Sequence, residues 1–443
     1  RAASPRSGGA DTIARVQTYN LSTLPTGERV ISEHVANVRS VSVGFWIGTG
    51  SRDETSARAG MSHFIEHLLF KGTSTHSARE IAEIFDGLGG ELNAATSRET
   101  TLVYARVPDD RLEPALDVMV GMVYDPAFAD IDSEREVVLE EIAMVDDNPQ
   151  DLVHDVAAEA VFGDHPLGRP VIGRADVISS VSGRALVSYH RAAYAHDNIV
   201  VAAAGNVPHE RVLELLAERI PKTEAPVRRA RKAFTRAPAP GYRFQRKATE
   251  QYHVCLGAPG ISRRDERRFA GSLLDSIVGG TASSRLFQEI REKRGMAYSV
   301  YSFASQYSDA GQVGLYVGTR EENLVECFEI VARELGDVSS GNVRSGELER
   351  AKENLKGRML LSMESTSNRM SRLGKSLIAD TELLSLEEVM NRIDAVTGDD
   401  VAALAGDLLR LDRLSAAGIG PSEARFRAAI QRVNPALVGR KAA

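Results

Sequence analysis

Residues 42–72 read SVGFWIGTGSRDETSARAGMSHFIEHLLFKG, and this stretch decides the fold because its order of elements recurs later in the chain. An apolar run typical of a strand leads through a glycine turn into a Ser-Arg-Asp-Glu segment, and then into an apolar helical segment that ends in glycine. Residues 251–280, QYHVCLGAPGISRRDERRFAGSLLDSIVGG, follow the same order. The recurrence indicates duplication of one unit of strand and helix.

The likeness continues beyond these stretches. Residues 81–97 (IAEIFDGLGGELNAATS) and 286–302 (LFQEIREKRGMAYSVYS) both read as helix, glycine and strand. Strands are expected at 29–34, 40–48, 91–107 (as a bent strand) and 198–205, and helices at 57–69, 77–87, 109–124, 131–146, 150–161, 182–193 and 208–218. We predict an α+β fold of two homologous domains, each a mostly antiparallel β-sheet packed with helices, which together enclose a cleft.

A change of composition divides the chain near its middle. Residues 221–240 contain four prolines and a basic cluster, which predicts a solvated linker between domains. The basic residues are Arg228, Arg229, Arg231 and Lys232. A first domain is then expected at 16–220 and a homologous second domain at 241–443, while 1–15 is expected to be a disordered N-terminus.

Composition excludes several classes of protein. The chain has 443 residues, 43% hydrophobic and 26% charged, as in ordinary globular proteins. A formal net charge of −7 argues against a nucleic-acid binder, and no apolar run reaches the length of a membrane span. Two cysteines, Cys255 and Cys327, favour a reducing compartment. A bacterial cytoplasmic location is therefore expected; the alternative is the mitochondrial matrix, since residues 1–10 carry arginines and serines but no acid.

The sharpest chemical signal is His63-Phe64-Ile65-Glu66-His67. Residues four apart share one face of a helix, so His63 and His67 can direct both imidazoles at one cation. A catalytic zinc ion takes three protein ligands and a water, whose pKa it lowers from 15.7 to about 7. Glu66 lies where it can accept the proton of that water. This is the H-x-x-E-H arrangement, the reverse of the commoner H-E-x-x-H motif.

A third ligand must come from elsewhere in the chain. Residues 131–145 (IDSEREVVLEEIAMV) form a strongly periodic helical pattern with acids in the first turn. Glu134 and Glu141 are seven residues apart and so lie on about one face. Helical spacing alone does not choose Glu140 or Glu141 as the ligand.

The combined motifs resemble the pitrilysin/insulinase-type zinc peptidases, which are inverted zincins. The runs GTGSRDE, GMSHFIEHLLFKGT, GLGGELNAATSRE and EREVVLEEIAM carry the resemblance, which covers nearly the whole chain. Within that family the sequence is most similar to the mitochondrial processing peptidase β-subunit and its bacterial homologues. The resemblance implies one Zn²⁺ per chain held by His63, His67 and Glu141, with Glu66 as catalytic base and Glu134 as a supporting acid.

The resemblance also assigns roles in the second half. That half carries Ser272-Leu273-Leu274-Asp275-Ser276 where the zinc motif would stand, so the catalytic set is single. We therefore expect 16–220 to be the zinc-binding catalytic domain and 241–443 to be the homologous substrate-binding domain without a zinc motif. Arg291 and Tyr298 match a family pair that reaches the substrate and the tetrahedral oxyanion.

Substrate contacts follow from the same resemblance. Residues 92–101 (LNAATSRETT) look like an edge strand that adds a peptide as a further strand, with Asn93 and Ala94 in contact with it. Phe70 matches a residue that lines the pocket for the apolar side chain just after the cut. Asp151 and Asp155 match acids that receive an arginine two residues before it.

The function predicted from the sequence is a zinc metalloendopeptidase that cleaves extended peptides or presequence-like segments, with arginine near the cut as a possible preference. Its expected assembly is a homodimer. The alternative is a non-catalytic structural or partner subunit of a processing-peptidase-like or respiratory complex, a class whose members have lost the motif.

Overall fold

The computed structural model describes residues 19–222, 231–344 and 346–439. The first half contains the strands β1 (Asn20–Thr23), β2 (Arg29–His34), β3 (Ser40–Ile47), β4 (Glu91–Thr96), β5 (Thr101–Pro108) and β6 (Ile199–Gly205). Its helices are α1 (Met61–Leu69), α2 (Ala78–Leu88), α3 (Leu112–Tyr124), α4 (Ile131–Asp147), α5 (Pro149–Phe162), α6 (Ala175–Ile178), α7 (Gly183–Ala193) and α8 (His209–Arg219). The expected disordered segment 1–15 lies outside the described residues.

The second half repeats this mixture. Its strands are β7 (Tyr242–Arg246), β8 (Tyr252–Gly260), β9 (Ala297–Gln306), β10 (Gly311–Thr319) and β11 (Ser415–Gly420). Its helices are α9 (Arg268–Val278), a π-helical turn (Phe287–Glu292), α10 (Leu324–Ser339), α11 (Glu347–Ser362), α12 (Thr366–Ile378), α13 (Leu386–Ala395), α14 (Gly398–Leu408), α15 (Glu423–Ile430) and α16 (Pro435–Val438). No helix within the described ranges combines the length and apolar character needed to cross a bilayer.

The two sheets share one topology except for β1, which has no counterpart among the described strands of the second sheet. The first has the order β1-β2-β6-β3-β5-β4 and the second has the order β7-β11-β8-β10-β9. β2 pairs with β6 in parallel, as β7 pairs with β11, and the other neighbours in both sheets are antiparallel. The predicted fold class is confirmed. β4 and β9 correspond to each other and lie at the edges of their sheets.

Each sheet is covered on one face by a helix from the other half of the chain. α5 packs Leu152 and Val153 against Tyr316 in the second sheet. α12 packs Met370 against Trp46 in the first sheet. The two halves of the chain therefore pack against each other through these two helices. The domain boundaries at 16–220 and 241–443 stay a prediction.

The region predicted as one strand at 91–107 is a hairpin. β4 ends at Thr96 and β5 begins at Thr101, so the edge strand is shorter than the expected 92–101. The hydroxyl of Ser97 accepts a hydrogen bond from Thr100 N at 3.1 Å, and Ser97 N donates to Thr100 O at 2.8 Å. This local Ser turn reverses the chain where the sequence pattern suggested a bend.

One segment of the predicted solvated linker is partly buried between the halves. Arg231 pairs with Asp53 at 2.8 Å and with Glu99 at 3.3 Å. Arg52, whose side chain is wholly buried, pairs with Glu99 at 2.6 Å and with Asp309 of the second half at 2.7 Å. The expectation of a solvated cluster is therefore wrong for Arg231, because the linker closes an ion-pair cluster. Residues 223–230, which include two of the basic residues, lie outside the described ranges.

Candidate metal centre

A buried carboxylate holds the N-terminus of α1. Glu54 accepts hydrogen bonds from the backbone N–H groups of Gly60 and Ser62, both at 2.7 Å. Gly60 has a φ of 98°, and a Cβ there would meet Cα of Gly173 at 2.8 Å, so the entry to the helix requires glycine. Burial raises the pKa of Glu54 to about 7, although both backbone N–H groups act to lower it. These contacts determine which way α1 presents its polar face.

Three donor atoms converge beside α1. The rings of His63 and His67 have centroids 4.6 Å apart, and Glu141 of α4 approaches both. Oε2 of Glu141 lies 3.6 Å from Nε2 of His63 and 3.3 Å from Nε2 of His67. Two donors about 2.0–2.1 Å from one tetrahedral zinc ion are roughly 3.3–3.4 Å apart, so the spacing fits zinc. The exposed Glu140 is not part of this cluster, which resolves the choice left open by helical spacing.

The contacts of His67 show why a cation suits this cluster. Nδ1 of His67 lies 2.9 Å from Oε1 of the buried Glu134, whose Oε2 lies 2.6 Å from Nζ of Lys71. Because a carboxylate only accepts hydrogen bonds, Nδ1 carries a proton, and in the tautomer that ligates a metal Nε2 presents its lone pair to Glu141. Two lone pairs facing each other at 3.3 Å repel unless a cation lies between them. The donor set therefore fits a divalent ion.

Burial also keeps His63 in the form that binds metal. Burial, together with the neighbouring His67, lowers the pKa of His63 to about 4. The imidazole is then neutral at physiological pH, as metal ligation requires.

Glu66 lies on the same face of α1 and is partly buried. Burial raises its pKa, while the adjacent Thr96 of β4 opposes this shift. Its Oε2 atom has no hydrogen-bond partner among the described residues. The carboxylate thus has one buried oxygen without a partner among those residues, next to the ligand cluster.

The expected peptide contacts fall on β4 and after α1. β4 lies at the sheet edge with alternating exposure, so that Asn93 faces outward and Ala94 packs against the first core. Phe70 is partly buried against the same core, directly after α1. These placements leave the outer edge of β4 open to an added strand.

The two candidate arginine-binding acids differ in their surroundings. Asp151 is exposed at the start of α5 and accepts a hydrogen bond from Asn148 at 2.5 Å. Asp155 is more buried and lies 3.6 Å from the guanidinium of Arg98. Burial raises the pKa of Asp155, and the positive charge of Arg98 opposes that shift. One of the two carboxylates is therefore already occupied by an arginine of the chain itself.

Arg291 and Tyr298 form a separate group in the second half. The guanidinium carbon of Arg291 lies 4.4 Å from the ring centroid of Tyr298, which is 78% exposed. Among the described residues, the side-chain contacts of the pair involve only each other, Phe287 and Glu292, and none reaches the ligand cluster. Tyr298 stands at a register shift between β9 and β10, an irregularity that redirects a side chain.

Three residues that support the site were not identified from the sequence. Glu54 anchors the start of α1, Lys71 neutralises Glu134, and Tyr194 is a buried neighbour of Glu66. Lys71 is four residues after His67 and could have been placed on its helix face. Glu54 and Tyr194 are brought in by tertiary packing and left no spacing signal.

Family profiles and related sequences both match zinc peptidases over most of the chain. The profile of the family described as "Insulinase (Peptidase family M16)" matches residues 29–175, and that of "Peptidase M16 inactive domain" matches residues 180–355. The chain is 42% identical to an uncharacterized zinc protease of Streptomyces coelicolor, over 92% of this chain and 90% of that protein. It is 40% identical to one of Bacillus subtilis, over 88% of this chain and 95% of that protein.

Solved structures share the fold. A Pseudomonas fluorescens protein described as a peptidase M16 inactive domain superposes with a TM-score of 0.84 at 23% identity, covering 92% of this chain and 99% of that one. A Helicobacter pylori protease superposes with a TM-score of 0.85 at 22% identity, covering 91% and 99%. These likenesses concern the arrangement of the two sheets and their helices.

Proposed function

Because this chain belongs to the insulinase-type M16 peptidase family and is a zinc metalloprotease, we propose that it is an endopeptidase for extended peptides or presequence-like segments, with Glu66 as its general base. The observation that best supports this is the convergence of His63, His67 and Glu141 beside the free oxygen of Glu66. A non-catalytic subunit, the alternative, would have no need to keep this set.

The proposed roles divide the chemistry among the residues of the first half. Zinc held by His63, His67 and Glu141 supplies Lewis-acid activation of water at neutral pH. Glu66 Oε2 takes a proton from the attacking water and later gives it to the nitrogen of the leaving amine. Burial, by raising the pKa of Glu66, increases the affinity of the carboxylate for that proton. Glu134 acts as a positioning residue by holding the His67 ring in one tautomer.

Substrate recognition is proposed to rest on the open edge of β4. An extended peptide there pairs with backbone groups around Asn93 and Ala94, which demands an unfolded segment and reads little sequence. Phe70 is proposed to line the pocket for the apolar side chain just after the cut.

A preference for arginine is the finer part of the proposal. Asp151 offers an exposed carboxylate, and Asp155 would have to exchange Arg98 for the arginine of the substrate. Replacing both acids by alanine should lower kcat/KM selectively for peptides with arginine near the cut. Equal losses on arginine-free peptides would reject the pocket.

The second half is proposed to complete the site through Arg291 and Tyr298, whose exposed side chains would contact the substrate and its oxyanion. We also propose that the assembly is a homodimer and not a heterodimer, since one chain carries both the ligand cluster and this pair. A cytoplasmic location in a bacterium is proposed as well. Sedimentation of the zinc-loaded chain tests the assembly, and a monomer would contradict it.

The Glu66→Gln variant tests the mechanism directly. It removes the proton acceptor and keeps the shape of the side chain, so we expect zinc content to be retained and hydrolysis of an arginine-containing peptide to be abolished. Glu140→Gln is the matched control, because this exposed carboxylate adjoins Glu141 but lies outside the cluster. Hydrolysis by Glu66→Gln at the rate of the parent would refute the mechanism.

A further inference from the structure

The second half contains a cavity of about 650 Å³ between α9, α11 and the edge strand β9. This volume is within the roughly 300–1,000 Å³ that small-molecule sites occupy. The walls include apolar side chains from all three elements, among them Leu274, Ala304 and Met359.

By topology, the cavity is the counterpart of the metal centre. α9 corresponds to α1, α11 to α4 and β9 to β4, so residues 272–276 stand where the zinc motif 63–67 stands in the first half. Ser272 and Ser276 replace the two histidines, whereas Asp275 keeps a carboxylate at the position of the general base. The second half thus retains the acid and the surrounding walls without the imidazole ligands.

Two charged groups on these walls have unused hydrogen-bonding capacity. Asp275 Oδ1 accepts a hydrogen bond from the Ser302 hydroxyl at 2.6 Å, and its other oxygen accepts none from the described residues. Arg358 of α11 lines the same cavity and makes no hydrogen bond or ion pair within the described ranges. The positive charge of Arg358 acts to lower the pKa of Asp275, but the two side chains do not approach to ion-pair distance. One negative group and one exposed positive group therefore stand apart on the wall of a cavity that is lined by both polar and apolar residues.

We infer that this cavity binds a short apolar peptide whose amino and carboxyl termini are both free. The ammonium group would pair with Asp275 and the carboxylate with Arg358, a polarity that neither a simple anion nor a simple cation can match. The apolar side chains would lie against the walls. β9 is the last strand of its sheet, so Ser302–Gln306 offer backbone groups along the cavity to the peptide amide. An endopeptidase also releases peptides of this kind, and this link rests on the proposed function. The inferred binding of the peptide to the cavity does not depend on that function.

Calorimetric titration with L-leucyl-L-leucine tests the inference. The host is the zinc-loaded full chain carrying Glu66→Gln, so that loss of hydrolysis does not affect the result. We expect saturable binding at one site per chain, weakened about tenfold or more when acetylation or amidation removes either terminal charge, because each removes a charge-assisted hydrogen bond. Asp275→Asn and Arg358→Gln should each weaken binding of the free dipeptide by a similar factor.

Controls separate this site from the cleft and from misfolding. Arg350→Gln changes an exposed arginine of the same helix that does not line the cavity, and it should leave binding unchanged. Glu141→Gln should also leave it unchanged, whereas Ala304→Trp should abolish it by filling the cavity. The blocked peptides need no variant, so a misfolded Asp275→Asn protein leaves the test intact. Absence of saturable binding, equal affinity for blocked and free dipeptide, or loss of binding in Glu141→Gln would each overturn the inference.

Discussion

Replacing Glu134 by glutamine should weaken zinc binding without unfolding the protein. The carboxylate is buried, accepts the Nδ1 proton of His67 at 2.9 Å, and pairs with Lys71 at 2.6 Å. Glutamine has almost the same shape but offers one acceptor oxygen and one amide donor. If the amide oxygen of the glutamine faces His67, its NH2 group faces the ammonium of Lys71. If the amide is turned the other way, its NH2 group faces the Nδ1 proton of His67, so one donor faces another in either orientation.

The magnitude follows from those contacts. A hydrogen bond to a charged group contributes about 1.5–3 kcal/mol, and loss of a group that orients a metal-bound imidazole typically costs about 10–100-fold in metal affinity. The two figures agree, since tenfold corresponds to about 1.4 kcal/mol. Lys71 is partly exposed and can regain water, so the main loss should be in the orientation and basicity of His67.

Competition with a chromophoric chelator measures the zinc affinity of Glu134→Gln and of its control, Glu136→Gln, an exposed acid two residues further along α4. We expect the control to match the parent, and the metal-free forms of all three proteins to unfold at similar urea concentrations. Parent-like zinc affinity in Glu134→Gln would refute the assignment of Glu134 as the residue that positions His67.

Three further outcomes follow from the buried groups. Arg52→Met should lower the free energy of unfolding by about 1.5–3 kcal/mol in urea, because it removes charge-assisted hydrogen bonds to the buried Glu99 and to Asp309, although Glu99 keeps its ion pair with Arg231. The exposed Arg58→Met should change it little. Gly60→Ala should lower both the melting temperature and the zinc content, since its Cβ would meet Gly173 at 2.8 Å and its φ is positive. Burial raises the pKa of Glu54 from 4.5 to about 7, so between these pH values the folded state holds a proton that the unfolded state has lost. Its contribution to the free energy of unfolding should therefore decline as the pH rises through that window, and urea titrations of Glu54→Gln should lack this decline.

The confirmed predictions rest on local periodicity and on motifs. The apolar runs of β3 and β6 and the periodic pattern of α4 located these elements to within a residue or two. The family, the fold class, the zinc ion and the metalloprotease activity were all inferred correctly. The reversal at Ser97 was predicted only as a bend, because one hydroxyl–backbone contact reverses the chain without a glycine or proline to mark it.

By itself, the sequence determined the two duplicated units and the helix that carries both histidines, because helix and strand periods are properties of neighbouring residues. The tertiary structure decided which acid joins the histidines, that α5 and α12 each cover the sheet of the opposite half, and that Arg231 is partly buried in an ion-pair cluster. These outcomes depend on contacts between residues far apart in the chain. Their free energies come from packing and charge pairing in three dimensions, and spacing along the chain does not record them.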